Sequence, residues 1–345
     1  MAGVVSADGP MRPPTLADLA REAGTSASTA SRALSGRGYV SPIVRDRLLE
    51  VAERLGYVPN ASARTLKQRT SRVVGVAVTE LGNQFYAHLA AGIEQVLREA
   101  NYQIVLVSDN SDREQELACA RAFLAMRAAG VIITPADREA AALLARSGVG
   151  VVEVDRRLAE VPCDAVVIDN ELGGRIATTH LLEFGHRRIG LLVANTDWTT
   201  DVGRLRGYCA AHALAGVELD ERLIVPIGFH AADTEARIAR LLDEQAPTAL
   251  FAANNLLAEH AWNVIRDRAL RLPHDISLVG FDDVQWTSMV EPGITVVAQP
   301  TLELGRRAAA LLLRRIDDPD GELGFECLEP TLIVRGSVAQ PYGNA

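Results

Sequence analysis

From position 73 onward, short runs of apolar and mostly β-branched residues alternate with longer amphipathic stretches. The runs lie at 73–78 (VVGVAV), 104–107 (IVLV), 130–133 (GVII), 151–154 (VVEV), 165–168 (AVVI), 189–193 (IGLLV), 249–252 (ALFA) and 277–281 (SLVGF). Runs this apolar suit strands buried on both faces, as in parallel sheets covered by helices. The segments between them, such as 87–100 and 174–184, read as helices, so the chain is a series of βαβ units. Roughly ten strands is many for one doubly wound sheet. The expected body is therefore two α/β lobes side by side with a ligand cleft between them.

Before position 73 the pattern changes. The stretch LADLAREAGTSASTASRALSG, residues 16–36, holds two short helical patterns joined by one glycine. Leu16, Leu19, Ala20 and Ala23 share one helix face, Thr15 is placed to cap that helix, and Asp18 falls in its first turn. Gly24 supplies a left-handed end. Ser26 or Ser28 can cap a second helix with inner residues Ala30, Ala33 and Leu34. Ser41 is expected to cap a third, with Pro42 at its first position and the stripe Val44, Leu48, Val51, Ala52 and Leu55. Small residues on the facing sides let the first two helices cross closely, as a helix-turn-helix requires.

Charge separates the same two regions. The chain of 345 residues has a formal charge of −9, yet residues 1–72 hold eleven Lys or Arg against six Asp or Glu. A basic head on an acidic body points to a polyanion partner for the head alone. No apolar run is long enough to span a membrane, and the N-terminus lacks a secretory signal, so a cytoplasmic protein without a membrane partner is expected. Cys119, Cys163, Cys209 and Cys327 are widely spaced and form no metal or disulfide pattern. His180 and His186 have no third ligand at metal spacing, and a structural role is expected for both. Neither a metal nor a cofactor is called for.

The head resembles the DNA-binding domain of the lactose-repressor (LacI/GalR-type) transcriptional regulators. The shared pattern is T-L-x-D-[LV]-A-x-x-A-G-[VT]-S-x-x-T-[VA]-S-R-x-L, then a third helix, then L-G-Y-x-P-N-x-x-A-R-x-L, carried here by residues 15–66. Thr25 departs from the usual valine or isoleucine, and Ala30 is smaller than the usual valine. The resemblance implies that Ala27, Ser28 and Arg32 face base edges, an arginine fork being suited to guanine O6 and N7. Thr15, Thr29, Ser31 and Asn60 correspond to phosphate contacts, which position without specifying. Tyr39 would reach the groove edge or backbone. Residues 61–67 resemble the family's hinge helix, with Ala63 and Leu66 at its minor-groove positions and Leu66 as the apolar wedge.

The likeness continues through the body in GNQFYAHLAAGIE, VDRR, HLLEFGHRRIGLL, RLRGY, LFAANN, DISLVGFDD and ITVVAQP. It implies an all-α helix-turn-helix head plus an α/β body of two parallel-sheet lobes resembling periplasmic binding proteins. The expected divisions are a tail at 1–14, the head at 15–59, hinge and linker at 60–72, and a body at 73–345. Its lobes would be 73–168 with 299–329, and 169–298 with 330–345. By family position, Asn83, Phe85, Asp155, Arg204, Phe229, Asn254 and Asp282 would line the effector cleft, with Trp286 covering one ligand face. The usual Asn-Asp reads Asn254-Asn255, which removes one carboxylate. A sugar or sugar acid leads as the ligand class, with a nucleobase as the alternative.

No GxSxG elbow, P-loop, HExxH or GxGxxG after a strand is present, so an enzyme is not expected. The sequence thus describes a ligand-responsive regulator, expected to be a repressor, binding duplex operator DNA as a homodimer. A Leu66→Ala variant should lower operator affinity at least tenfold while ligand affinity stays unchanged, measured by fluorescence anisotropy at one fixed salt concentration. Unchanged operator affinity would remove Leu66 from the DNA contact.

Overall fold

The computed structural model describes residues 12, 14–35, 38–57, 71–158, 161–194, 198–228 and 231–341. Two compact units divide the chain, Met1–Ser71 and Arg72–Ala345.

The first unit contains α1 (Leu16–Glu22), α2 (Ala27–Ser35) and α3 (Pro42–Leu55). Thr15 and Asp18 cap α1 reciprocally. Thr15 Oγ1 accepts from the Asp18 N–H at 3.2 Å, and the Asp18 carboxylate accepts from the Thr15 N–H at 3.0 Å. Gly24, at φ +65°, then turns the chain. At α2, Ser26 is the cap, its Oγ accepting from the Thr29 N–H at 3.2 Å. Ser28 instead lies in the first turn, its hydroxyl 2.9 Å from that of Ser26. Ser41 holds the cap position of α3 but makes no side-chain capping bond, contrary to the sequence expectation. The first turn there is open to water, Ile43 being 81% exposed, and Pro42 brings no N–H needing a partner.

The three helices close on Leu19, Ala20, Ala23, Ala30, Ala33, Val40, Leu48, Val51 and Ala52, with Leu16, Leu34, Val44, Leu55 and Tyr57 packed around them. Every apolar stripe residue read from the sequence is in this cluster.

In the second unit the chain runs β1 (Val73–Val78), α4 (Gln84–Glu99), β2 (Gln103–Ser108), α5 (Arg113–Ala125), β3 (Gly130–Ile133), α6 (Arg138–Arg146), β4 (Gly150–Val154) and β5 (Asp164–Ile168). It continues as α7 (Asn170–Glu183), β6 (Ile189–Ala194), α8 (Thr199–Leu214), β7 (Ile224–Ile227), α9 (Thr234–Gln245), β8 (Ala249–Ala252), α10 (Asn255–Asp267) and β9 (Ser277–Phe281). The last elements are α11 (Gln285–Met289), β10 (Thr295–Ala298), α12 (Thr301–Asp317), β11 (Phe325–Leu328) and β12 (Thr331–Ile333).

Two six-stranded sheets result, ordered β11-β5-β4-β3-β1-β2 and β12-β10-β9-β8-β6-β7. All neighbouring pairs are parallel except β10 with β12. The apolar runs become strands such as β3, β6 and β9 in which every residue is buried, as parallel sheets covered on both faces demand. The chain crosses between the sheets after β5, after β10 and between β11 and β12.

Each lobe contains one helix pair whose backbones touch. A Cβ on Gly174 of α7 would lie 2.2 Å from the Arg204 carbonyl oxygen, and one on Gly207 of α8 would lie 2.1 Å from that of Glu171. The other lobe repeats this between α4 and α12, where Cβ atoms on Gly92 and Gly305 would each stand 2.2 Å from a carbonyl oxygen. Beside β11, the buried Arg315 pairs with Asp164 at 2.8 Å and donates to the carbonyls of Pro319, Gly321 and Glu322. In the second lobe, His186 bonds Thr248, Ser277 and the Ala339 carbonyl, tying residue 339 to the sheet. Burial holds its pKa below the ordinary imidazole value.

Thr25 leaves a trace of its departure from the family's valine: its hydroxyl is buried with no hydrogen-bond partner. An unpaired buried hydroxyl costs about 1–3 kcal/mol. Thr25→Val should therefore stabilise the head by about 1 kcal/mol. Calorimetric melting of the full chain checks this, and a lower melting point for the head transition would refute it.

Candidate functional site

Of the DNA-facing candidates, Ala27, Ser28 and Arg32 lie exposed along α2, while Thr29 and Ser31 are half-buried on it. Arg32 Nε donates to the Ser28 carbonyl at 3.3 Å, which lays the side chain back along its own helix. Tyr39 is 87% exposed. The Thr15 hydroxyl proton is already donated to Asp18 at 2.6 Å, so a phosphate contact there would have to replace that bond. Asn60, Ala63 and Leu66 lie outside the described residues.

In the second unit, a cleft opens at the carboxyl ends of both sheets. Open α/β sheets place ligands outside their strand carboxyl ends, at the point where strand order reverses. Both sheets reverse here, at β1/β3 and at β6/β8. Asn83, Phe85, Asp155, Arg204, Asn254 and Asp282 all line the cleft. Phe229 lies outside the described residues. Trp286 does not line it, against the sequence expectation. The indole packs on the apolar cluster of the second lobe that includes Leu257, Ile276 and Ile294, where its large apolar surface leaves water.

Local structure explains each position. Asn83 and Asn254 are helix caps, accepting from the Phe85 and Leu257 N–H groups at 3.0 and 2.8 Å. Asp155 and Asp282 each follow directly on a central strand, β4 or β9, with φ of +70° and +73°. Left-handed backbone at a non-glycine residue is uncommon, and here it turns a carboxylate into the cleft from each lobe. Arg204 reaches across from α8. Its Nε donates to Asn170 Oδ1 at 2.9 Å, its Nη1 to the Ala253 carbonyl at 2.6 Å, and its guanidinium stacks 3.7 Å from the Phe281 ring centre.

Burial pushes the carboxyls of Asp155 and Asp282 above the ordinary range, and Arg204 pulls both partly back. Arg156 adds to this pull on Asp155. The cleft therefore brings the buried carboxyls of Asp155, Asp201 and Asp282 together with the guanidiniums of Arg156 and Arg204, groups suited to bonding a ligand's hydroxyls.

Sequence reasoning missed Tyr86, Arg156, Trp198, Thr200, Asp201 and Gln299, all of which line the cleft. Arg156 is the centre of this group. Only 3% exposed, it bonds Thr79 Oγ1, Tyr86 Oη and the Pro135 carbonyl, and lies 3.6 Å from the Trp198 ring centre. Behind it, burial raises Asp109 to about 6 and Glu116 to about 7. Its only sequence signal was its place beside Asp155 in VDRR. Gln299 donates to Asp282 at 2.6 Å from the crossover ITVVAQP.

Comparison with known proteins fits this geometry. Residues 15–60 match the family of bacterial regulatory proteins, lacI family, and residues 178–338 match a periplasmic binding protein-like domain. The regulator CelR of Thermobifida fusca is 37% identical over 94% of this chain and 98% of its own length. The ribose operon repressor of Haemophilus influenzae is 31% identical over the same shares. Among solved structures, a CelR–cellobiose complex is 34% identical, covers 94% of this chain and 99% of its own, and superposes with a TM-score of 0.72. A Lac repressor dimer bound to operator and the anti-inducer ONPF is 26% identical, covers 95% of this chain and all of its own, and gives 0.82. A helix-turn-helix head, an α/β body with its cleft at the strand ends, and relatives aligned over nearly their whole length together make this chain a member of the LacI family of bacterial transcriptional regulators.

Proposed function

We propose that the chain is a ligand-controlled transcriptional repressor that binds a near-palindromic operator as a homodimer in the cytoplasm. The observation that carries the ligand half of this reading is the cleft. Two buried carboxyls on left-handed residues, one from each lobe, flank a guanidinium that both lobes' strand ends enclose. Such a site suits a hydroxyl-rich ring, and a sugar or sugar derivative is the ligand we favour. CelR's complex with cellobiose and a ribose-bound relative from Enterococcus faecium support that class. The operator-bound Lac repressor dimer supports the DNA partner and the dimer.

In this reading Arg32 of α2 reads guanine, Ala27 and Ser28 make close or water-mediated contacts, and Thr29 and Ser31 with Asn60 hold phosphates. Ala63 and Leu66 act in the minor groove. Asn83, Phe85, Asp155, Arg204, Asn254 and Asp282 hold the effector, with Phe229 completing the ligand face. Ligand binding shifts the lobes by hinge closure and so alters operator affinity. A coupling of about 1–3 kcal/mol gives roughly 5–150-fold control. The ligand is bound without being turned over, in keeping with relatives that are regulators.

Selection from randomised duplex DNA at one stated salt concentration tests the DNA half, because phosphate contacts make affinity salt-dependent. A two-fold symmetric site should be enriched. Failure to enrich any sequence, with and without a metabolite extract, would overturn the reading. For the ligand half, sugars beginning with cellobiose and ribose are screened by melting-point shift. Against whichever sugar binds, Arg204→Ala should weaken affinity roughly 10–150-fold, the worth of a hydrogen bond to a charged group, and leave operator binding intact. Retained ligand affinity would take Arg204 out of the site.

A further inference from the structure

The two lobes bond to one another directly at the rim of the cleft, in two places. At the first, Asn83 Nδ2 donates to Asn255 Oδ1 at 3.3 Å and Asn255 Nδ2 donates back to Asn83 Oδ1 at 2.9 Å. Beside this pair the Gln285 N–H donates to Gln84 Oε1 at 2.7 Å. At the second, the Arg156 guanidinium covers Trp198, and the Arg157 N–H donates to Thr199 Oγ1 at 3.3 Å. Asn83, Gln84, Arg156 and Arg157 belong to the first sheet's lobe, and their partners follow β6, β8 and β9 of the second.

We propose that these contacts hold the lobes closed in the absence of ligand, with Asn255 as the positioning residue of the closed form. The inference rests on reading lobe movement as the step that links ligand to operator. A reciprocal pair needs a donor and an acceptor on each side chain, which two amides supply. An aspartate at 255, the residue usual in the family, could accept from Asn83 but could not donate back. Asn255 is 4% exposed, and its backbone N–H bonds the Asp282 carboxylate, so the latch is joined to a cleft carboxyl.

The energetics favour closure. Opening the lobes exposes both amides to water, so the gain is the net worth of two hydrogen bonds, each a factor of roughly 2–12 in the closing equilibrium. The stacked Arg156 is enclosed on its other sides by Thr79, Tyr86 and Pro135, so its contact with Trp198 is desolvated, where cation–π attraction is strongest. A ligand that binds the closed form then meets a population already competent, and its apparent affinity is not reduced by the cost of closing.

Two backbone amides report closure without any ligand. Among the described residues, the Gln285 and Arg157 N–H groups each bond a side chain of the opposite lobe and no other group, so their hydrogen exchange follows the open population. In ligand-free full-length protein both should be protected at least tenfold relative to unstructured amides. Asn255→Leu, which keeps the branched shape and removes both hydrogen bonds, should speed their exchange at least fivefold while amides of β1 and β9 stay unchanged. Asn255→Asp should fall between. Gln84→Ala removes the Gln285 acceptor and should also speed Arg157, which it does not touch.

Unprotected Gln285 and Arg157 in the wild type would overturn the proposal. So would an unchanged Arg157 in Gln84→Ala, which would make the contacts local. Should Asn255→Leu also loosen β9, the Gln84→Ala and Asn255→Asp results decide. No DNA or sugar enters the experiment, so its failure would leave the regulator reading standing.

Discussion

The close approach of α7 and α8 sets the geometry of the ligand cleft. Gly174 and Gly207 let the two backbones touch, and any side chain at either position would drive a Cβ to about 2 Å from a carbonyl oxygen of the other helix. Arg204 stands at that crossing, its own carbonyl being the atom Gly174 faces. The crossing therefore fixes the root of the side chain whose charge acts on both Asp155 and Asp282. Gly92 and Gly305 do the same between α4 and α12, fixing the helix that begins at Asn83 and carries Phe85 and Tyr86. Core packing at this density transmits small displacements rather than absorbing them.

On that rigid base the cleft stores a modest amount of strain. Asp155 and Asp282 occupy equivalent places in the two lobes, each in left-handed backbone immediately after a central strand. The surroundings hold this conformation at a cost of about 1–3 kcal/mol per residue. In return, two carboxyls project from strand ends where a continuing strand would have sent its side chains to the sheet faces.

The fold was legible because its signals are local. Continuous apolar runs marked the buried strands, and the spacing of Leu16, Leu19, Ala20 and Ala23 marked the first helix. Ser41 misled because a cap residue stood at a helix end whose exposed first turn does not require a side-chain cap. Six cleft residues were legible through the family pattern, yet Trp286 was not, because its side-chain direction depends on a single short helical turn. Arg156 and Trp198 escaped for a different reason. Their importance lies in a contact between lobes, and no spacing within either segment records it.

The interleaving of the lobes also shapes how the chain can be made. The first sheet receives its edge strand β11 and its cover α12 only after five of the second sheet's six strands have been synthesised, since β5 ends at 168 and β11 begins at 325. Leu304, Ala308, Leu311 and Leu312 of α12 belong to the core that includes Val152 and Val166 of β4 and β5. At ribosomal rates of about 5–20 residues per second, that core stays uncovered for roughly 8–30 s. During this interval the nascent chain carries a bare β5 edge, a template for wrong pairing. The order of synthesis thus makes protection of the half-built lobe a requirement separate from the stability of the finished one.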